Sequence, residues 1–481
     1  MTFTSVLNRF ANSTWRVVVL LAICAAWPAQ CARAFQSPSQ PSSPNILFLF
    51  ADDLSYEAVG FAKRFNIQTP NLDRLAARGI VFSQAHNMGS FSPAVCVASR
   101  TMLVTGRSVW RAESIYKNVA QVRDAQEMWP QLLKKAGYET YMTGKWHVPV
   151  DAKTCFDRVG TVRAGMPNDK PKWYSRPIEG EPDTWNPADE SLGGYWTGGK
   201  HWSAVTATEA EQFIASRQHQ EAPFFAYIAF NAPHDPRQAP QAYLDRYPVE
   251  SIALPESYAD DYPYAKQIGC GPGLRDERLA PFPRTPFAIR THRREYYALI
   301  THLDEQIGKI LAALQQAGQD NNTWIFFTAD HGLAVGSHGL LGKQNMYEHS
   351  LRVPCIVAGP GIKSPRVVDQ RVYLQDIVPT TLKLAGVTPP ASHEFRSLLP
   401  LIDEQPYAAR PGIYGAYLDA QRAYIQDHFK LIVYPKANVK RLFDLKHDPL
   451  ELVDLAKEPM HQAKIEQLTA ALEAEEARLR N

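Results

Sequence analysis

Four short strand-like runs stand out along the chain, and each ends in a cluster of polar residues. Ile46-Leu47-Phe48-Leu49-Phe50 runs into Asp52-Asp53. A continuous apolar run of this length predicts a strand buried on both faces. Tyr138 to Met142 follows Gly137, which closes a helical pattern from Met128 to Ala136, and leads into Gly144-Lys145-Trp146-His147. Phe224 to Phe230 leads into Asn231-Ala232-Pro233-His234-Asp235, and Thr323 to Thr328 into Asp330-His331-Gly332. Helical patterns lie between them at Asn71–Arg78, Ala207–Arg217 and Arg294–Ala317. The last sets Tyr297, Ile300, Leu303, Ile307, Ile310 and Leu314 on one stripe. Alternation of strand and helix predicts an α/β fold, a large mostly parallel sheet sandwiched by helices.

After about Pro360 the texture changes. Tyr414–Tyr417, Ala423–Gln426, Phe429–Tyr434 and Arg441–Asp444 read as short strands joined by tight turns. The chain closes on an amphipathic helix with Ile465, Leu468, Leu472 and Leu479 on one face. This predicts a smaller C-terminal antiparallel sheet with a packed helix, over 361–481, docked on a main domain of 45–360.

The N-terminal texture is different again. Arg9 and Arg16 precede the apolar run Val17–Trp27, which is short for a bilayer span, and Ala32-Arg33-Ala34 fits a small-x-small cleavage site. Residues 1–34 therefore read as an export signal and 35–44, FQSPSQPSSP, as a linker. No other stretch is apolar enough to cross a membrane. Without the three arginines of the signal, the balance of 51 basic against 49 acidic residues becomes 48 against 49. A near-neutral body excludes bulk electrostatic binding to nucleic acid or to an anionic membrane as the main activity. Cys96, Cys155, Cys270 and Cys355 remain after the signal, too widely spaced for a disulfide framework or a CxxC metal site. A Cys155–Cys270 bridge is compatible with export, though nothing in the spacing establishes it. Cys355, in PCIVAG, reads as a buried side chain.

Ligands of parallel sheets bind beyond the carboxyl ends of the strands. Here four predicted strands end in acids, histidines or a lysine. Oxygen ligands suit a hard divalent cation, and added lysine and histidine suit an anionic substrate. Lys200 and His201 in GGKHW, and Asp235 and Arg237 beside His234, are further candidates for the substrate side. His86, His338 and His349 carry no motif.

The most specific stretch is Cys96-Val97-Ala98-Ser99-Arg100-Thr101-Met102-Leu103-Val104-Thr105-Gly106-Arg107. It resembles the signature of the type I sulfatases of the alkaline-phosphatase superfamily, Cys-x-(Pro/Ala)-Ser-Arg followed by Leu-x-Thr-Gly-Arg. The resemblance extends in family order over Asp52-Asp53, TPNLDRLAARG, GKWH, PHDP, TADHG, GKQNMYE and RLFDL. It implies that a formylglycine-generating enzyme oxidises Cys96 to formylglycine during maturation. An aldehyde hydrate offers two hydroxyls on one carbon, one to attack sulfur and one to expel sulfate, so that one hard step becomes two.

The resemblance also implies the roles of the other residues. Asp52, Asp53, Asp330 and His331 would bind Ca²⁺ together with residue 96. Histidine is a less typical ligand for so hard an ion, which leaves Mg²⁺ and Mn²⁺ open. Arg100 would hold the hydrate, Asp330 would take its proton, and Lys145 and Lys343 would clamp the sulfate. His147 would be the base of the second step. His234 would bind sulfate and, with Lys343, protonate the leaving alcohol. The expected activity is hydrolysis of a sulfuric ester on a sulfated carbohydrate. Three alternatives stand beside it: a phosphonate monoester or phosphodiester hydrolase, a choline-type sulfatase, and a non-enzymatic glycan binder if Cys96 stays a thiol.

Overall fold

In the computed structural model, residues 43–168 and 170–481 are described. The chain runs through β1 (Asn45–Ala51), α1 (Pro70–Ala77), β2 (Ile80–Phe82), α2 (Val95–Thr105), α3 (Trp129–Lys135), β3 (Glu139–Lys145) and β4 (Arg158–Arg163). It continues with α4 (Trp202–Ala215), β5 (Phe224–Ala229), α5 (Pro286–Gln316), β6 (Thr323–Ala329), β7 (Cys355–Ala358), β8 (Arg366–Val368) and α6 (Ile377–Leu384). The eight strands form one sheet in the order β8-β2-β7-β6-β1-β5-β3-β4. Strands β6, β1, β5, β3 and β4 are parallel neighbours, and β7 runs antiparallel to β6 and β2. Every residue of β1, β5 and β6 is buried, as strands covered on both faces require. The four strands that end in polar clusters are thus adjacent, β6-β1-β5-β3, and deliver their clusters to one edge.

Two helices start earlier than the apolar stripes indicate. Helix α5 begins at Pro286, eight residues before Arg294, because Thr285 caps it: its Oγ1 accepts from Ala288 N at 3.2 Å, and Pro286 fills the first helical position. Helix α4 begins at Trp202, capped by His201, whose Nδ1 accepts from Ser203 N at 3.1 Å. His201 is therefore a core residue and not a substrate-side one. It is 3% exposed, with Nε2 at 3.1 Å from Gln238 O and its ring against His302.

The smaller sheet is formed by β9 (Ile413–Tyr417), β10 (Gln421–Gln426), β11 (Phe429–Tyr434) and β12 (Val439–Asp444), antiparallel throughout, with the two-residue strand Gly89–Ser90 parallel to β9 at its edge. Helix α7 (Gln462–Arg480) packs on it through Ile465, Leu468, Leu472 and Leu479, all buried. The crossing between sheets comes later than the boundary drawn at 360. Strand β8 pairs with β2 of the large sheet, and Ile377, Val378 and Leu382 of α6 lie in the large core. Gly89 lies so close to β9 that a Cβ there would meet Ala416 O at 1.9 Å. A buried ion network joins the smaller sheet to the short helix Glu348–Leu351. Lys430 on β11 lies 2.9 Å from Glu348 and 2.8 Å from Glu451, and His86 Nε2 lies 3.0 Å from Glu348.

The four described cysteines are free and buried. Cys155 Sγ faces Met128 Sδ at 3.4 Å, and Cys270 Sγ donates to Gln344 O at 2.9 Å, in separate hydrophobic clusters, so the Cys155–Cys270 bridge does not form. Among the described residues no helix is long and apolar enough to cross a membrane. The export signal read at 1–34 and nearly all of the linker lie outside the described residues.

Burial holds His201, His338 and His393 down at about 4, and His292, His302 and His349 well below the usual range. Between these values and the unfolded value near 6.5 the unfolded chain takes up protons that the folded chain does not. Stability from these groups is therefore complete above about pH 6.5 and lost as pH falls toward 4, by up to roughly 1.4 kcal/mol per pH unit for each fully buried group. Burial raises Asp304 to about 6 and Glu451 to about 7, which act with the opposite sign. Burial also raises Asp52, Glu57, Asp73, Glu277 and Asp376, but partners hold Asp157, Glu209, Asp235, Glu348 and Glu476 down against it, so the six histidines set the net sign. The calorimetric melting midpoint, measured with chelator present, is expected to fall continuously from pH 7 to 4.5; a flat profile would contradict it.

Candidate active site

The nucleophile candidate sits at the start of α2, a helix buried at every position. Cys96 is its second residue, where unpaired backbone N–H groups and the helix dipole favour negative charge. Ser99 and Arg100, three and four residues on, share its face. Ser99 Oγ donates to Asp330 O at 2.8 Å. Arg100 Nε donates to Asp330 Oδ2 at 3.1 Å and Nη1 to Lys145 O at 2.8 Å, while the guanidinium lies over the Phe50 ring. Gly106 ends the helix in the left-handed conformation, φ +67°, which accounts for glycine in Thr-Gly-Arg.

The predicted site residues surround Cys96 Sγ. Asp52 Oδ1 lies at 3.1 Å, Lys343 Nζ at 3.4 Å and His331 Nε2 at 3.6 Å, and the imidazoles of His147 and His234 face the sulfur. Lys145 Nζ is bonded to Asp52 Oδ2, and Lys343 Nζ to both oxygens of Asp53 at 2.9 and 2.8 Å. His234 Nε2 lies 3.8 Å from Asp53 Oδ2. Asp53 and His147 take left-handed backbone, φ +69° and +54°, a sparsely populated region that a fold sustains where it fixes a site. Tyr296 of α5 holds the first of these turns, donating to Asp53 O at 2.7 Å and accepting from Ser55 N at 3.2 Å. Asp52, Arg100, Lys145 and Asp330 are fully buried, whereas His147 is partly exposed.

Burial opposes ionisation of the Cys96 thiol, yet Lys145, Lys343, His147 and His234 outweigh it and hold the thiol well below its ordinary value. Asp52 and Asp330 move in opposite directions. Burial, then Asp330 and Cys96, push Asp52 well up. Burial and Cys96 also press upward on Asp330, but His331, Arg100 and Lys145 hold it below the carboxylate range.

Ligand atoms of Asp53, Cys96, Asp330 and His331 all lie within 4.8 Å of one another. Asp52, bonded to Lys145, falls outside that group and shares another with Cys96 and His234. His331 Nδ1 lies 2.8 Å from Gly332 O, a bond that leaves Nε2 as the free lone pair facing Cys96. Three carboxylates against Lys145, Lys343 and Arg100 leave the cluster balanced. A divalent cation among oxygen donors would give it the surplus positive charge that an anion needs, so the residues fit a hard divalent cation.

Several neighbours carry no sequence signal. Asn87 donates to Asp330 O. Asp235 lies beside His234 and Asp53 and forms a two-bond pair with Arg275, at 2.6 and 3.0 Å, while Arg237 Nη1 lies 3.0 Å from His292 Nδ1. Asp276 accepts from Gln344 Nε2 at 2.8 Å. Gln344, inside GKQNMYE, and Asp235, inside PHDP, lie in motifs; Asn87, Arg275 and Asp276 do not.

Known proteins carry the same arrangement of chain. The model of the sulfatase family matches residues 44–387. The chain belongs to the sulfatase family. A second model, for the C-terminal part of N-sulphoglucosamine sulphohydrolase, matches residues 336–478 of this sulfatase. A sulfatase of Formosa agariphila is 28% identical over 95% of this chain and 91% of its own length. The N-acetylgalactosamine-6-sulfatase of Homo sapiens is 30% identical over 78% of this chain and 68% of its own. A solved structure in complex with its substrate D-glucosamine-2-N,6-O-disulfate covers 91% of this chain and 98% of its own, with TM-score 0.71 at 24% identity, a likeness of fold. The reaction class of this sulfatase is hydrolysis of sulfuric esters.

Proposed function

We propose that this sulfatase is an exported enzyme that removes sulfate from a terminal residue of a sulfated carbohydrate, using formylglycine made from Cys96 and a divalent cation, Ca²⁺ first. The observation that carries the reading is the ring of Lys145, His147, His234 and Lys343 about a buried Cys96 at a helix start. Matured residue 96 would supply two hydroxyls on one carbon, and the cation would polarise the sulfate oxygens. Asp53, Asp330 and His331 would hold the cation with residue 96, and Asp52 would close the set. Arg100 would orient the hydrate from its bond to Asp330, and Asp330 would accept the attacking hydroxyl's proton. Lys145 and Lys343 would bind sulfate oxygens from opposite sides. His147 would take the proton that lets sulfate depart, and His234 with Lys343 would give one to the alcohol oxygen as its bond to sulfur breaks. The carbohydrate assignment is supported by the sugar sulfatases among its relatives and structural neighbours. Depth supports a terminal residue, since Cys96 is 3% exposed.

The test is sulfate release from a panel of sulfated mono- and disaccharides, beside choline sulfate and the nitrophenyl esters of sulfate and phenylphosphonate. Turnover of one or a few sugar sulfates well above the others is expected. Preference for the phosphonate or for choline sulfate would replace the reading.

A further inference from the structure

We infer that the consecutive residues Arg275 and Asp276 are positioning residues for both proton donors of the leaving-alcohol side, joining His234 and Lys343 into one hydrogen-bonded unit. The inference rests on the acid roles proposed above for those two residues. Arg275 reaches one way to the Asp235 carboxylate with both terminal nitrogens, at 2.6 and 3.0 Å. Asp235 in turn holds His234, whose Nδ1 lies 2.7 Å from Asp235 O and 3.3 Å from Asp235 Oδ1. With Nδ1 engaged there, Nε2 is the atom that faces Asp53 and Cys96. Arg275 Nη2 also lies 2.7 Å from Asp276 Oδ1. Asp276 Oδ2 accepts from Gln344 Nε2 at 2.8 Å, and Gln344 Oε1 accepts from Lys343 N at 3.0 Å. The same Asp276 oxygen lies 3.9 Å from Lys343 Nζ.

Asp235 and Asp276 are both buried, 4% and 5% exposed. A buried carboxylate is costly unless a cation and hydrogen bonds offset its desolvation, and here one arginine serves both. The construction is one-sided. Lys145 and His147 come from the β3 end and take their contacts from Asp52, Cys96 and Asp330's partner Arg100. Disturbing Arg275 or Asp276 should therefore misplace the donors of the alcohol's proton and spare the base side.

Asp276→Asn and Arg275→Lys are to be compared with the parent on a sugar sulfate, whose alkoxide needs a proton, and on nitrophenyl sulfate, whose phenolate leaves without one. General acid help is typically worth about 10²–10⁴ in rate. The expected result is a loss of roughly 10²-fold in kcat on the sugar sulfate and under about 5-fold on nitrophenyl sulfate. KM is expected to change little. Arg275→Lys, which keeps the charge, decides if Asp276→Asn fails to fold. Equal losses on the two esters in folded protein, or no loss in either variant, would overturn the inference. His234→Ala run alongside separates the two levels. If it too loses equally on both esters, the acid role itself is wrong; if it is selective and the other two are not, only the positioning role is.

Discussion

Cys96→Ala is expected to lower sulfate release from the enzyme's sugar substrate by roughly 10⁴-fold or more, with substrate binding retained. Everything else that would touch substrate stays in place: Arg100 remains fixed by Asp330 and Lys145 O, and Lys343 by Asp53. Alanine is also a good helix residue, so the start of α2 is kept. Protein made without the maturation enzyme should behave in the same way. Although its neighbours favour the thiolate, sulfur bound to a sulfo group has no second hydroxyl with which to expel it. Peptide mass distinguishes the forms, since the aldehyde is lighter by the difference between sulfur and oxygen and by two hydrogens. Full turnover by protein whose Cys96 is shown to be unmodified would sink the nucleophile assignment. Calorimetric titration with the sulfated sugar checks that binding survives in Cys96→Ala.

What the sequence made legible follows from how each element is stabilised. Strands β1, β5 and β6 are buried on both faces, so their sequences are unbroken apolar runs that announce themselves. The starts of α4 and α5 were hidden because caps precede the apolar stripe. Pro286 follows the proline-rich Phe282-Pro283-Arg284-Thr285 and reads as loop, yet proline is favoured at a first helical position. The Gly89–Ser90 strand is invisible locally, since two residues have no period and the pairing with β9 is decided by tertiary packing. The site divides in the same way. Residues that must stand beside one another at a strand end, such as Asp52-Asp53 or Asp330-His331, leave a local motif. Arg275 and Asp276 act through Asp235 and Gln344, tens of residues away in the chain, and stand at the start of a four-residue 3-10 turn too short to show a pattern. The same holds for Lys430 with Glu348 and Glu451: three charges that would read as surface are buried together beneath the smaller sheet's strand β11 and the helix Glu348–Leu351.

Removing the divalent cation is expected to cost at least about 10³-fold in turnover, and the structure indicates why the loss should exceed that of one missing ligand contact. The charges of the site's own side chains, three carboxylates against Lys145, Lys343 and Arg100, balance. Lys343 lies against both oxygens of Asp53 and Lys145 against Asp52, so each lysine that would bind sulfate also faces a carboxylate. An anionic ester then meets no surplus positive charge, and binding it requires breaking ion pairs in a buried, weakly screened site. A cation among Asp53, Asp330 and His331 would release the lysines toward the substrate side. Two readouts follow. Chelation should raise the dissociation constant for a sulfated sugar as well as lower kcat. It should also lower stability, by about 2.7 kcal/mol if free cation had stood at 100 times its dissociation constant. Added Ca²⁺ should restore both, and the rise in melting temperature with Ca²⁺ should vanish in Asp53→Asn, which removes one of the clustered oxygens. Demetallated protein that keeps its turnover and its melting temperature, with metal content verified by elemental analysis, would show that these carboxylates serve the lysines and not a cation.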